Sequence, residues 1–134
     1  MGSFAVIVLD THVMVWAAVE SKKLSRPAEL AIRKSRLQDG LAISAVTLWE
    51  LAFLMARGRI QGYGTVESSV RELIEGVTVK PITVEIAALA TQFPNDYPHD
   101  PIDRLIGATA RAEGLALVTR DESIRKSPLL KTIW

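Results

Sequence analysis

The sequence predicts an α/β domain of three layers, with a central, mainly parallel sheet of four to five strands covered by helices on both faces. Short aliphatic runs alternate along the chain with longer segments whose apolar residues recur at helical spacing, the pattern of parallel strands joined by helical crossovers. The strand-like runs are continuously apolar, as expected where both faces of a sheet are covered. A third observation concerns chemistry. Asp10, Glu50, Asp103 and Asp121 each fall at the end of a strand-like run or in the opening turn of a helix-like run. In a parallel sheet the strand ends that feed helices share one edge, and ligands bind in the crevice outside it.

The elements follow in order. Residues 4–9 form an apolar, β-branched run that stops at Asp10 and reads as a buried strand. Residues 13–20 turn helical, and Ser25 is placed as an N-cap with Pro27 in the first turn of a helix reaching about Leu37. Asp39 and Gly40 make a turn, and residues 41–43 a second strand. Leu48, Leu51 and Met55 then recur at helical spacing until Gly58. Gly62 and Gly64 bracket a loop, after which Val66, Val70, Leu73 and Ile74 mark an amphipathic helix ended by Gly76.

Residues 77–82 predict a third strand, weakened at its end by Pro81. Behind Thr83 as cap, Ile86, Leu89, Ala90 and Phe93 keep the i, i+3, i+4, i+7 spacing of one helix face. A polar loop with Pro94, Asn95, Pro98 and His99 leads to a helix from Pro101 to about Glu113, closed by Gly114. Residues 115–118 make the fourth strand, Asp121 opens a short last helix, and residues 131–133 predict a fifth, edge strand.

Bulk properties narrow the classes. A chain of 134 residues is expected to be one domain over 1–134, burying roughly two-thirds of its unfolded surface. With 49% hydrophobic and 23% charged residues it is too apolar for intrinsic disorder. The absence of cysteine excludes disulfides and thiolate metal sites and fits a reducing cytoplasm. The apolar stretches at 4–9 and 13–19 fall far short of the ~20 residues of a membrane helix. No basic residue precedes Lys22, so a secretory leader is not expected and a cytoplasmic location is. Net charge is +1, so a nucleic-acid partner would be held by local basic groups and not by an overall field.

Each acid also has a structural explanation. Thr47 to Glu50 has the spacing of a capping box, Asp100 to Asp103 resembles one with Pro101 at the first helical position, and Asp10 and Asp121 suit plain helix caps. Yet caps can be Ser, Thr or Asn, so nothing about capping requires acids at several strand ends. Four carboxylates in one crevice would repel each other unless a cation neutralised them. Oxygen donors without cysteine suit hard divalent ions such as Mg²⁺ or Mn²⁺.

Other residues near these positions have auxiliary parts to play. Asp100 is an N-cap or a supporting acid, and His12 orients Asp10, meets substrate or is simply satisfied at a helix start. Ser44 and Thr119 are expected at strand ends, where a hydroxyl can bond a carboxylate or a metal-bound water. Arg57, Arg59, Arg104 and Arg120 follow or adjoin the acids and are candidates for phosphate contact. Lys22, Lys23, Arg33, Lys34 and Arg36 read as solvated surface. Trp16 and Trp49 are assigned to the core, and His99 has no second histidine at ligand spacing.

Leu9, Asp10, Thr11, His12 and Trp16; the run from Ser44 to Glu50; the run from His99 to Leu105 with Ala108, Thr109 and Ala110; and Val118, Thr119, Arg120 and Asp121 together resemble the PIN-domain ribonucleases. The likeness is greatest to the VapC toxins of toxin–antitoxin pairs, and it covers essentially the whole chain in the right order. It implies a PIN-like domain and a Mg²⁺- or Mn²⁺-dependent endoribonuclease. By that resemblance Asp10, Glu50, Asp103 and Asp121 form the complete acidic metal-binding tetrad, with Thr119 the hydroxyl beside it. It further implies an RNA substrate, a small antitoxin partner and a homodimer, for which residues 13–19, 48–55 and 66–74 offer apolar surfaces.

Two other classes place acids at the same sheet edge. An aspartyl-phosphate phosphatase needs a second Asp two residues after the first, where this chain has His12; a receiver domain needs a lysine near the position of Arg120. A binding module whose acids only cap helices is the third reading. Divalent-ion binding coupled to RNA cleavage separates the nuclease from all three.

Overall fold

Five strands, β1 (Ile7–Leu9), β2 (Leu41–Ser44), β3 (Thr78–Lys80), β4 (Ala116–Val118) and β5 (Thr132–Ile133), form one sheet in the computed structural model, which describes residues 6–134. The start of the expected first strand, Phe4 and Ala5, lies outside the described residues. The strand order is β3-β2-β1-β4-β5, and every pair is parallel. The chain builds outward from β1 through β2 to β3, then returns to lay β4 against the other side of β1. That reversal makes a topological switch between β1 and β4, where two neighbouring crossovers leave in opposite directions and open a crevice at the strand ends.

Helices α1 (Thr11–Val19), α2 (Arg26–Arg36), α3 (Ala45–Ala56), α4 (Val66–Leu73), α5 (Val84–Thr91), α6 (Pro101–Glu113) and α7 (Glu122–Arg125) connect the strands, with a 3₁₀ turn at Ser21–Lys23. Alternate strand residues serve opposite layers, because successive side chains of a strand point to opposite faces. Ile7, Leu9, Leu41, Ile43 and Val118 pack with Val13, Met14, Ile32, Leu51 and Val70 of α1 to α4. Val8, Ala42 and Leu117 pack with Ile86, Ala90, Ile106, Ala108 and Ile124 of α5 to α7. Each large aliphatic side chain removed from water in this way contributes roughly 1.5–3 kcal/mol against the entropy of ordering the chain.

Local signals set most helix starts. Ser25, Thr65, Thr83, Asp100 and Asp121 each accept a backbone N–H of their own helix's first turn. Gly114 takes the left-handed conformation that ends α6, at φ 67°. Two expectations need correction. The helix after Thr83 stops at Thr91, so Phe93 lies beyond it, although it is buried with Tyr97 against α6. Trp49 is not core: it is 59% exposed, because the buried face of α3 is carried by Thr47 and Leu51.

Candidate active site

The crevice is built from β1 and β4 outward. Asp10 follows β1 and caps α1, with Oδ1 accepting the Thr11 N–H at 2.9 Å. Thr119 follows β4, is fully buried, and donates its hydroxyl to Asp10 Oδ2 at 2.8 Å. The same hydroxyl oxygen accepts the Asp121 N–H at 3.1 Å, and Asp121 Oδ1 in turn caps α7 at Ile124 N. One threonine thus ties two of the four acids together across the switch. Asp10, Thr119 and Asp121 stand where the sequence placed them.

Glu50 reaches the same region by a route the sequence did not reveal. The cap of α3 is Ser44, whose hydroxyl accepts Val46 N at 3.2 Å, so Thr47 and Glu50 are not a capping box. Ser44 therefore caps its own helix instead of bonding an acid. Glu50 lies a turn further into α3, and its carboxylate accepts the hydroxyl of Thr11. Thr11 and Thr47, both buried, are bonded at 3.0 Å. Since the single proton of Thr11 goes to Glu50, Thr47 donates to Thr11, giving a relay from Thr47 through Thr11 to the acid. Thr11 was missed because a threonine in the first position of a helix carries no local mark of a partner 39 residues away.

Asp103 enters from α6. Asp100 is the N-cap, accepting Ile102 N at 2.8 Å and Asp103 N at 3.4 Å, and Asp103 sits in the first turn. The loop ahead of it is clamped by Arg104, which corrects the expectation of a phosphate contact there. Its guanidinium donates to the carbonyls of Phe93, Pro94, Tyr97 and Pro98 at 2.7–3.3 Å. Four of its five N–H donors are thereby taken. Tyr97 completes the clamp by donating its hydroxyl to the Asp103 carbonyl at 3.4 Å.

Of the other expected cations, Arg120 lies over the Trp16 ring at 5.9 Å and Arg57 over Phe53 at 4.7 Å. His12 is exposed beside Trp16, 6.1 Å between ring centroids. Trp16 is half-buried and packs on the core. His99 meets the Asn95 carbonyl at 3.1 Å.

The acids perturb one another. Burial is the largest cause raising the Asp10 carboxyl, and Asp121 adds to it, against the hydrogen bonds of Thr119 and Thr11 and the nearby His12. Glu50 is raised by burial first, then by Asp10 and Asp100, against the Thr11 bond and His12. Asp103 is pushed up to about 7 by burial, with Asp10, Asp100, Asp121 and Glu50 all acting in the same direction. A divalent cation would offset this mutual repulsion. All candidate donors are carboxylate or hydroxyl oxygens, the set that Mg²⁺ and Mn²⁺ prefer, and two positive charges would oppose the burial and the repulsion that hold Asp103 up. Among the described residues no three acid or histidine side chains already close on a single point. The donor chemistry and charge fit a hard divalent ion.

This architecture has known counterparts. The PIN domain family model matches residues 7–128. The chain belongs to the PIN-domain family. It is 40% identical over 130 residues to "Ribonuclease VapC22" of Mycobacterium tuberculosis, covering 96% of this chain and 98% of that protein. Among solved structures, DNA-bound VapBC from Salmonella typhimurium superposes with a TM-score of 0.69 at 21% identity, covering 96% of this chain and 97% of that one. A toxin–antitoxin complex from Klebsiella pneumoniae gives 0.64 at 21% identity, over 92% and 94%. Those two likenesses speak for the PIN fold, and the VapC22 match places this PIN-domain protein on the VapC branch.

Proposed function

We propose that this PIN-domain protein is an endoribonuclease that hydrolyses RNA phosphodiesters with Mg²⁺ or Mn²⁺ and acts as the toxin of a toxin–antitoxin pair. The observation that carries it is the link from Asp10 through Thr119 to Asp121 at the β1–β4 switch, with Glu50 and Asp103 close enough to raise or be raised by the others. Asp10 and Asp103 are the primary metal ligands in this reading, and Asp121 and Glu50 complete the shell or orient water. When bound, the ion lowers the pKa of an attacking water and stabilises charge on the phosphoryl oxygens.

The chain's own residues prepare that chemistry. Thr119 and the Thr11 N–H hold both oxygens of Asp10 and keep lone pairs free on each. Thr11 fixes one oxygen of Glu50, leaving the other to hold a water. The Arg104 clamp anchors the loop before α6 and so the position of Asp103. Arg120, next to Asp121 and exposed, supplies a phosphate contact at the rim, with Arg57 at the C-cap of α3. His12 in place of a second aspartate, and Arg120 in place of a lysine, remove what a phosphatase or receiver would use.

An antitoxin and a homodimer belong to the same reading. A cleft between the end of α1, the end of α3 and α4 is lined by Ala17, Val19, Met55 and Leu73 together with Arg36, Ser69 and Glu72. This mixed apolar and charged lining suits a short amphipathic segment of an antitoxin. Among the described residues no helix is long and apolar enough to cross a membrane. The deciding experiment is cleavage of RNA by the purified chain in Mg²⁺, Mn²⁺ and EDTA beside Asp10→Asn. Metal-dependent cleavage lost in the variant is expected; cleavage that survives EDTA or the substitution would overturn the mechanism.

A further inference from the structure

Trp49, Phe53 and Arg57 are spaced four apart along α3 and its C-cap, and so share one face of that helix. Large aromatic side chains usually supply core, yet Trp49 is 59% and Phe53 41% exposed. Their rings are stacked, with centroids 5.2 Å apart and planes 27° from parallel. Arg57 continues the row, its guanidinium 4.7 Å from the Phe53 ring centre. The row starts one residue before Glu50, whose carboxylate is held by Thr11. From there it runs about 12 Å along the helix.

Resting on the endoribonuclease reading, we propose that Trp49 and Phe53, closed by Arg57, form a stacking shelf for unpaired RNA bases beside the scissile phosphate. A net charge of +1 gives no overall field to hold a polyanion, so the grip comes from local contacts. Unpaired bases provide it by stacking on aromatic rings and guanidinium planes, and every base offers such a face. Arg57 adds a cation where the strand leaves the rings. Two flat rings and a cation in one row match a nucleobase better than the aliphatic side chains of a protein partner.

The test measures binding of a short labelled single-stranded RNA and of an abasic strand of the same length, which keeps the phosphates and lacks the rings. Both are titrated into the full chain carrying Asp103→Asn, to prevent cleavage. The base-bearing strand is expected to bind more tightly. Adding Trp49→Ala and Phe53→Ala should weaken it by at least about tenfold and leave the abasic strand unchanged. Trp49→Phe should retain most of the affinity. Equal binding of the two strands, or a base preference that survives the double substitution, overturns the proposal. So does a double variant whose solution mass differs from the parent's, since the row would then be a contact between copies of the chain. RNA cleavage by the unsubstituted chain is scored separately. Base-dependent binding without cleavage keeps the shelf and removes the nuclease reading; cleavage without base dependence removes the shelf alone.

Discussion

Thr119 donates its hydroxyl to Asp10 Oδ2 at 2.8 Å, joining residues 109 positions apart across the boundary where the sheet changes direction. The bond places a neutral donor on a half-buried carboxylate and orients it. Because the same oxygen accepts the Asp121 N–H, the threonine sets the spacing of two acids at once.

Thr119→Val keeps the shape and removes both bonds. It should lower stability by about 1–3 kcal/mol, the usual cost of stripping a partner from a buried polar group, and reduce cleavage further than that loss explains. Thr119→Ser should recover most of both. Urea unfolding and RNA cleavage on the three proteins decide it; a valine variant as stable and active as the parent would show that the bond positions nothing.

Asp100 and Asp103 stand three residues apart with different tasks. Asp100→Ala removes an N-cap with two N–H partners and should cost about 1 kcal/mol while retaining some cleavage. Asp103→Asn should abolish cleavage with little loss of stability, since it removes the charge its neighbours disfavour. Equal loss of activity in the two variants would move Asp100 into the catalytic group.

Asp103 also predicts a pH dependence. Its folded pKa of about 7 lies above the ordinary value of 3.8, so between those values the native state holds a proton that the unfolded state has released. Stability of the metal-free protein from this group should therefore fall as pH rises through that window and level off above about 7. Asp103→Asn should flatten the slope. Melting curves in EDTA across this range test it, and a parent that becomes steadily more stable from pH 5 to pH 8, with the variant doing the same, would contradict the crowding of the acids.

Divalent ions should stabilise the fold. An ion bound only by the native state raises the melting temperature by mass action, and here it also relieves repulsion among the acids. The rise in Mn²⁺ should shrink in Asp10→Asn and in Asp121→Asn. Differential scanning fluorimetry at increasing Mn²⁺ measures it; a parent whose melting is unmoved by saturating ion, with both variants alike, would mean that the four acids do not form one metal site.

The sequence by itself determined the alternation of strands and helices, the placement of four acids at their junctions and most of the caps. Those signals are local: Ser25, Thr83, Asp100 and Asp121 bond backbone within three residues, and Gly114 marks its helix end by its own conformation. The order β3-β2-β1-β4-β5 depends on pairing between distant segments, and only the folded sheet sets Thr119 against Asp10. The same distance hid the Thr47–Thr11–Glu50 relay. Arg104 looked like a phosphate ligand because it adjoins Asp103, yet the fold of the preceding loop turns four carbonyls toward it. Trp49 looked like core because it is large and has apolar neighbours; the face of α3 that meets the sheet was decided by Thr47 and Leu51, and the rotation of the helix left the indole in water.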